Sequence, residues 1–309
     1  MFRGTVVAIA VSFAAVACAA HAATVKAGAG APPVSLSAFA LGPADFDSGA
    51  SVASTRMTTA GGLPALVRVF QPGARLRGSK LAIVVSVVML EPDAPSAAAD
   101  FASLGTTTHS AAGREALAKA WGLAFVKGMA KGAGKNTLTV KRTVVGSPVG
   151  AGSSAIRLPV TIVTNVGTVH MSLGFVQGDR VVTIALLIAP FGMSVSSAAG
   201  GAALTALQQH VQTGFTIANT AVPSIGGTAA QGQTLTAAAG SWAGSPSSLT
   251  YSWSRCDGTG GSCTAIAGAS GPTYVVGAAD SGFTLQVTVT AANSISTGQA
   301  VSTATAPVA

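Results

Sequence analysis

Charge is scarce in this chain. Asp, Glu, Lys and Arg make up only 8% of its residues, far below the ~25% usual for soluble domains. Nine acids remain in 309 residues, which leaves little for acid–base catalysis. Glu91 and Asp93, on either side of Pro92, stand where a paired-carboxylate site could sit. They read more simply as a strand terminus and a helix N-cap. Histidine is equally thin. His109, His170 and His210 are far apart, and His170 alternates onto the face opposite Val169 and Met171, so it reads as solvent-facing. The three cysteines cannot build a four-ligand zinc site with them. No G-x-S-x-G, H-E-x-x-H or phosphate-loop pattern occurs. Neither a metal nor a cofactor is therefore expected, and the chain reads as no enzyme. Aromatics are few, which with export disfavours nucleic acid as a partner. Past the N-terminus no apolar run is long enough to span a bilayer. The best, Val181 to Val195, is broken by Pro190 and Gly192 and reads as a buried strand entering a turn.

What is present begins with an export signal. Arg3 is a short basic region, Thr5 to Val16 is almost wholly apolar, and Ala20-His21-Ala22 fits the small-x-small cleavage rule. Residues 1–22 are read as a signal peptide, and the mature chain as secreted or held at the cell envelope. Ala15-Val16-Ala17-Cys18 offers a lipobox-like second option, with a lipid anchor on Cys18, although the usual Leu is missing. Residues 23–50 are Ala-, Gly- and Pro-rich without periodicity and read as a flexible leader.

The composition changes again at residues 218–222, read as a linker. Residues 24 to 217 hold fifteen Lys and Arg against seven acids, whereas residues 218 to 309 hold Arg255 against Asp257 and Asp280. Such asymmetry points to two domains. Within 51–217, Leu81 to Leu90 is apolar on both faces, as in a covered strand. Ala97, Phe101 and Leu104 share one helical stripe, and Leu117, Trp121 and Phe125 another. Four strand-like runs follow, at 137–145, 155–163, 169–175 and 180–189, then a helix carrying Leu204, Leu207, Val211 and Phe215. The order predicts an α+β domain, an antiparallel sheet covered by helices. With the stretch AFALGPADFDSGASV it resembles the secreted Mog1/PsbP-like α+β domains of actinobacterial envelope lipoproteins and sensor ectodomains. That resemblance implies binding of a ligand or partner and carries over no residue.

Residues 223–309 contain GQTL, a Ser241-Trp242 pair, YSWSRC, TYVVGAADSG and LQVTVTAAN. As a set these resemble a bacterial Ig-like module of actinobacterial secreted proteins, which implies an Ig-like β-sandwich with Trp253 in its core. Cys256 and Cys263 bracket DGTGGS. No other Cys or His lies in this part, and the spacing is not C-x-x-C. In an exported chain they are expected to form a disulfide across a hairpin.

The basic residues are the remaining functional clue. Arg75, Arg77 and Lys80 cluster before one strand. Lys127, Lys131 and Lys135, with Lys141 and Arg142, surround GMAKGAGKN. Such a surface would attract anionic lipid, wall polymer or acidic glycan; another envelope protein is a further partner. The leading expectation is a secreted or envelope-attached, non-enzymatic binding or adhesion protein. Its first domain would take a small or anionic ligand, with the second as spacer or contact surface. The alternatives are an envelope hydrolase with a cryptic site and a structural cell-surface component. An apolar cleft between sheet and helices would favour binding; converging carboxylates would favour the hydrolase.

Overall fold

The structure, a computed structural model, describes residues 35–47, 50–60, 62–130, 139–149 and 153–309. It divides into two compact units at Gly214/Phe215.

Unit 1 is built on strands β1 (Val52–Ala60), β2 (Leu63–Phe70), β5 (Ile83–Leu90), β6 (Val140–Val145), β7 (Ala155–Thr164), β8 (Thr168–Gly178) and β9 (Val181–Ile188), with a small hairpin of β3 (Arg75–Leu76) and β4 (Ser79–Lys80). The large sheet runs β1-β2-β5-β9-β8-β7-β6, and every neighbour pair is antiparallel. Strands β6 to β9 follow one another as a meander. Among the described residues three α-helices accompany it: α1 (Ala94–His109), α2 (Ala111–Ala130) and α3 (Ser197–Gly214).

Successive side chains of a strand point to opposite faces, and β8 shows what each face meets. Met171, Leu173 and Phe175 join one core with Phe101, Leu104, Leu117 and Trp121 of α1 and α2. Between them, Gly174 faces α3: a Cβ there would lie 3.2 Å from the Leu204 side chain. The sheet is thus covered on both faces, which is why β9 is buried along its whole length. The α3 face is completed by residues 36–41. Phe39 and Leu41 are fully buried, the Leu41 amide donates to Ser86 Oγ at 3.0 Å, and Thr183 Oγ1 donates to the Phe39 carbonyl at 3.0 Å. This stretch, read as part of a flexible leader, is a packed element.

Among the described residues, unit 2 is strands and turns with one 3-10 turn at Ala278–Asp280. Its longest ladder pairs β14 (Ser248–Cys256) with β17 (Thr284–Ala292), joined by β15 (Thr264–Ala265) and β18 (Thr297–Val301). A three-stranded sheet holds β11 (Ser224–Gly226), β12 (Thr234–Ala238) and β16 (Thr273–Val275). A two-stranded one holds β10 (Ala218–Ala221) and β13 (Ser241–Ala243). Residues 218–221, read as a linker, are therefore a paired strand. Trp253 is fully buried among Leu235, Val276, Leu285 and Val287, stacks on Tyr274 at 5.5 Å and donates to the Gly271 carbonyl at 3.0 Å.

The expected layout, an α+β domain followed by an Ig-like sandwich, is corrected by these elements. The described residues are mostly β, 43% strand against 23% helix, in several sheets with a few helices. In unit 2 most strands are two to five residues long and end at Gly- or Ser-rich turns. Apart from β14–β17, the ladders stop after a few pairs, and three small sheets form.

A groove beside the edge strand and the basic residues around it

Strand β6 ends the large sheet, so its outer edge has no strand neighbour among the described residues. Helix α2 lies along it through small residues. At Gly122 the approach is so close that a Cβ would stand 2.6 Å from Thr143 Oγ1. Because the helix overhangs an edge strand, a concavity of about 750 Å³ is left between them, within the size range of small-ligand sites. Its apolar floor is Ala118, Gly122, Leu123 and Val140. Leu123 is 66% exposed, far more than a core leucine. Three cations rim it: Lys119 from the helix, Lys141 and Arg142 from the strand. All three are exposed, and none forms an ion pair among the described residues. Glu115 is the one acid on the rim. The arrangement can hold an apolar chain and neutralise an anionic head.

A second concavity, about 560 Å³, lies between residues 44–47 and α3 and is lined by Asp45, Asp47, Arg77, Thr205 and Gln209. Its carboxylates are already committed. Asp47 accepts from the Arg77 and Gly78 amides at 3.2 and 2.9 Å. Asp45 accepts from the Gly42 amide at 2.6 Å and lies 2.9 Å from His210 Nε2. Burial raises the Asp45 carboxyl, but the bonds from His210 and Gly42 more than offset it and hold it below the ordinary value. The same bond to Asp45 raises His210, against the effect of burial. Sequence reading missed this pair because 165 positions separate the partners.

Of the two expected basic clusters, only part falls on described side chains. Arg75, Arg77 and Lys80 are exposed on the β3–β4 hairpin, between β2 and β5. Lys127 belongs to α2, but its side chain lies outside the described residues, as do Lys131 and Lys135 entirely. Lys141 and Arg142 are on the far edge strand. Five strand steps separate β2 from β6, roughly 24 Å at the usual spacing.

The carboxylates at 91 and 93 do not converge. Asp93 caps α1, accepting from the Ser96 amide at 2.7 Å. Glu91 is 3% exposed, and its Oε1 has no hydrogen-bond partner among the described residues. Burial, with the nearby charges of Asp100 and Asp93, pushes its carboxyl up to about 7. His170 is half-buried rather than solvent-facing, its Nδ1 3.2 Å from Thr161 Oγ1. Among the described residues no group of His, Cys, Asp and Glu could hold a metal ion, and no helix is long and apolar enough to cross a membrane.

The sulfurs of Cys256 and Cys263 lie at disulfide distance. Inside the loop they close, Asp257 Oδ1 accepts from the Thr259 and Gly261 amides, both at 2.9 Å. Buried Asp280 accepts from Arg255 Nε at 2.8 Å and from the Tyr274 hydroxyl at 2.7 Å.

No protein-family model matches the chain, and no curated protein matches it. Among solved structures, the extracellular domain of PknH from Mycobacterium tuberculosis is similar at a TM-score of 0.37 and 14% identity. The match covers 59% of this chain and 98% of that one. A likeness that low carries no argument about function.

Proposed function

We infer that the chain is exported and that unit 1 binds an anionic amphiphile in the α2–β6 groove without transforming it. The groove itself carries this reading: an apolar floor that a solvated helix and strand would not otherwise leave open, under three cations that form no ion pair among the described residues. A carboxylate or phosphate head would meet Lys119, Lys141 and Arg142, and a hydrocarbon tail would lie along Ala118, Leu123 and Val140. The hydrolase reading lacks comparable support. Among the described residues Glu115 is the one acid lining the groove, and the carboxyl poised near neutrality, Glu91, is buried away from it. The purely structural reading does not account for the groove.

Support for export is the layout of residues 1–22 together with the cysteine pair, since disulfides persist in oxidising compartments. Unit 2 has Arg255 engaged by Asp280 and few other charges, which leaves it the role of spacer or contact surface. The test is the triple variant Lys119→Gln, Lys141→Gln, Arg142→Gln, titrated with a soluble long-chain alkyl phosphate below its micellar concentration. The parent is expected to bind, more weakly as salt rises, and the variant to lose at least about tenfold in affinity. Equal affinity for parent and variant would refute the assignment.

A further inference from the structure

Three large apolar side chains are exposed together at one end of the large sheet. Val166 is 64%, Phe191 55% and Met193 50% exposed. Val166 sits in the β7–β8 hairpin, and Phe191 and Met193 in the connection from β9 to α3. The register places both connections at the same end, since Val163 pairs with Thr168 and Met171 with Ile188. The two loops adjoin: a Cβ on Gly167 would lie 3.2 Å from Phe191 Cδ1. Isolated exposed apolar residues are ordinary; three together on adjoining loops mark an interaction surface.

The loops are pre-formed. Thr164 Oγ1 accepts from the Val166 and Gly167 amides, both at 3.2 Å, and donates to the Gly167 carbonyl at 2.7 Å. The Met193 amide donates to the Pro190 carbonyl at 3.0 Å, and the Gly192 amide to the Thr168 carbonyl at 3.2 Å. Gly192, at φ 75°, makes the turn between the two apolar residues. These amides are therefore satisfied within the loops. That matters in an apolar phase, where an unpaired backbone group is expensive.

Cations flank the apolar tip. The β2–β5 connection leaves the sheet at this end and carries exposed Arg75, Arg77 and Lys80, without ion pairs among the described residues. Lys141 opens the far edge strand on the other side. Glu91, Asp93 and Asp179 lie at the opposite end, where Glu91 and Asp93 follow β5 and Asp179 joins β8 to β9; Asp45, paired with His210, and Asp47 lie nearer the hairpin. Asp47, near the hairpin, is occupied by the Arg77 and Gly78 amides.

An apolar tip between cations is complementary to a bilayer whose surface is negative and whose interior is hydrocarbon. We propose that this end of unit 1 docks on an anionic lipid membrane, with Val166, Phe191 and Met193 entering the interfacial layer and Arg75, Arg77 and Lys80 meeting the headgroup phosphates. Val166, Phe191 and Met193 are not among the side chains that line the α2–β6 groove, although Lys141 stands between the two sites. Docking at this tip would hold the protein at a membrane without a spanning helix.

The test uses the exported full-length protein and vesicles of phosphatidylcholine with or without phosphatidylglycerol. Co-sedimentation is expected only with phosphatidylglycerol. The double variant Phe191→Ser, Met193→Ser should lower the partition coefficient about tenfold or more, with an unchanged thermal midpoint because both positions are exposed. In the Phe191→Trp protein, the introduced indole should shift its emission to the blue on vesicles and be quenched by brominated acyl chains. The proposal is overturned by no binding, by tip variants that bind as the parent does, or by Phe191→Trp emission that vesicles leave unshifted. The second of these outcomes would leave the tip to a protein partner. Alkyl phosphate titration of the tip variant separates the two sites: it should bind the soluble ligand normally, so loss of one activity does not entail loss of the other.

Discussion

His210 Nε2 lies 2.9 Å from Asp45 Oδ2 and joins helix α3 to the turn after residues 36–41. The bond fixes how that N-terminal stretch closes over the sheet. Its pH window follows from the two shifts. Asp45 titrates below its ordinary 3.8, so its contribution is present above that value and is lost as pH falls through the lowered pKa. His210 titrates above 6.5, so its contribution is present below 6.5 and is lost as pH rises through the raised pKa. Asp45→Asn should lower unit 1 stability most between those limits, by about 1–2 kcal/mol. Thermal melts across pH check this; an equal loss at acid and alkaline pH, on either side of the His210 transition, would count against the charged pair.

Glu91 should act in the opposite sense. Its folded carboxyl sits at about 7 against an ordinary 4.5. The folded state therefore holds its proton longer, and stability falls as pH rises from 4.5 to about 7. Glu91→Gln should flatten that slope and recover up to about 3 kcal/mol at neutral pH. Denaturant titrations of parent and variant, below and above that interval, measure the difference.

In unit 2 the core tryptophan should matter more than the cysteine staple. Cys256 and Cys263 close a short loop, so replacing both with Ser should cost about 2 kcal/mol. Trp253→Ala empties a fully buried site and should cost about 3–5 kcal/mol. Thiol titration of the unreduced protein gives a separate check: two reactive groups at positions 256 and 263 would contradict the bonded pair.

The sequence was informative where a pattern is local. Leu81 to Leu90 is apolar on both faces, and β5 is indeed covered on both. The Phe101/Leu104 and Leu117/Trp121/Phe125 stripes turn to the core because helical period alone decides which side chains share a face. The cover on the other face of β5 was not legible. It comes from Leu36 to Leu41, a stretch with no period to read, whose place is set by bonds to Ser86 and Thr183 far along the chain. The fold class departs from expectation for a related reason. Alternation in unit 2 marks strands but not how long each ladder runs or how many sheets result. Of the site, Lys141 and Arg142 were visible as charges. The groove was not, because it depends on Gly122 letting α2 close on Thr143 and on β6 being an edge. The meeting of the Val166 and Phe191 loops likewise joins two turns that sequence shows only as separate breaks.

The groove assignment is tested most directly by comparing two ligands of one chain length, an alkyl phosphate and the corresponding alcohol, by calorimetric titration of the exported protein. Matched tails isolate what the three rim cations contribute. The account predicts that the phosphate binds at least about tenfold more tightly at low salt, and that the preference shrinks toward physiological salt as exposed charges are screened. It also predicts that Leu123→Asp weakens both ligands by placing a carboxylate on the apolar floor. Equal affinity for phosphate and alcohol, or a Leu123→Asp protein that binds both as the parent does, would contradict it.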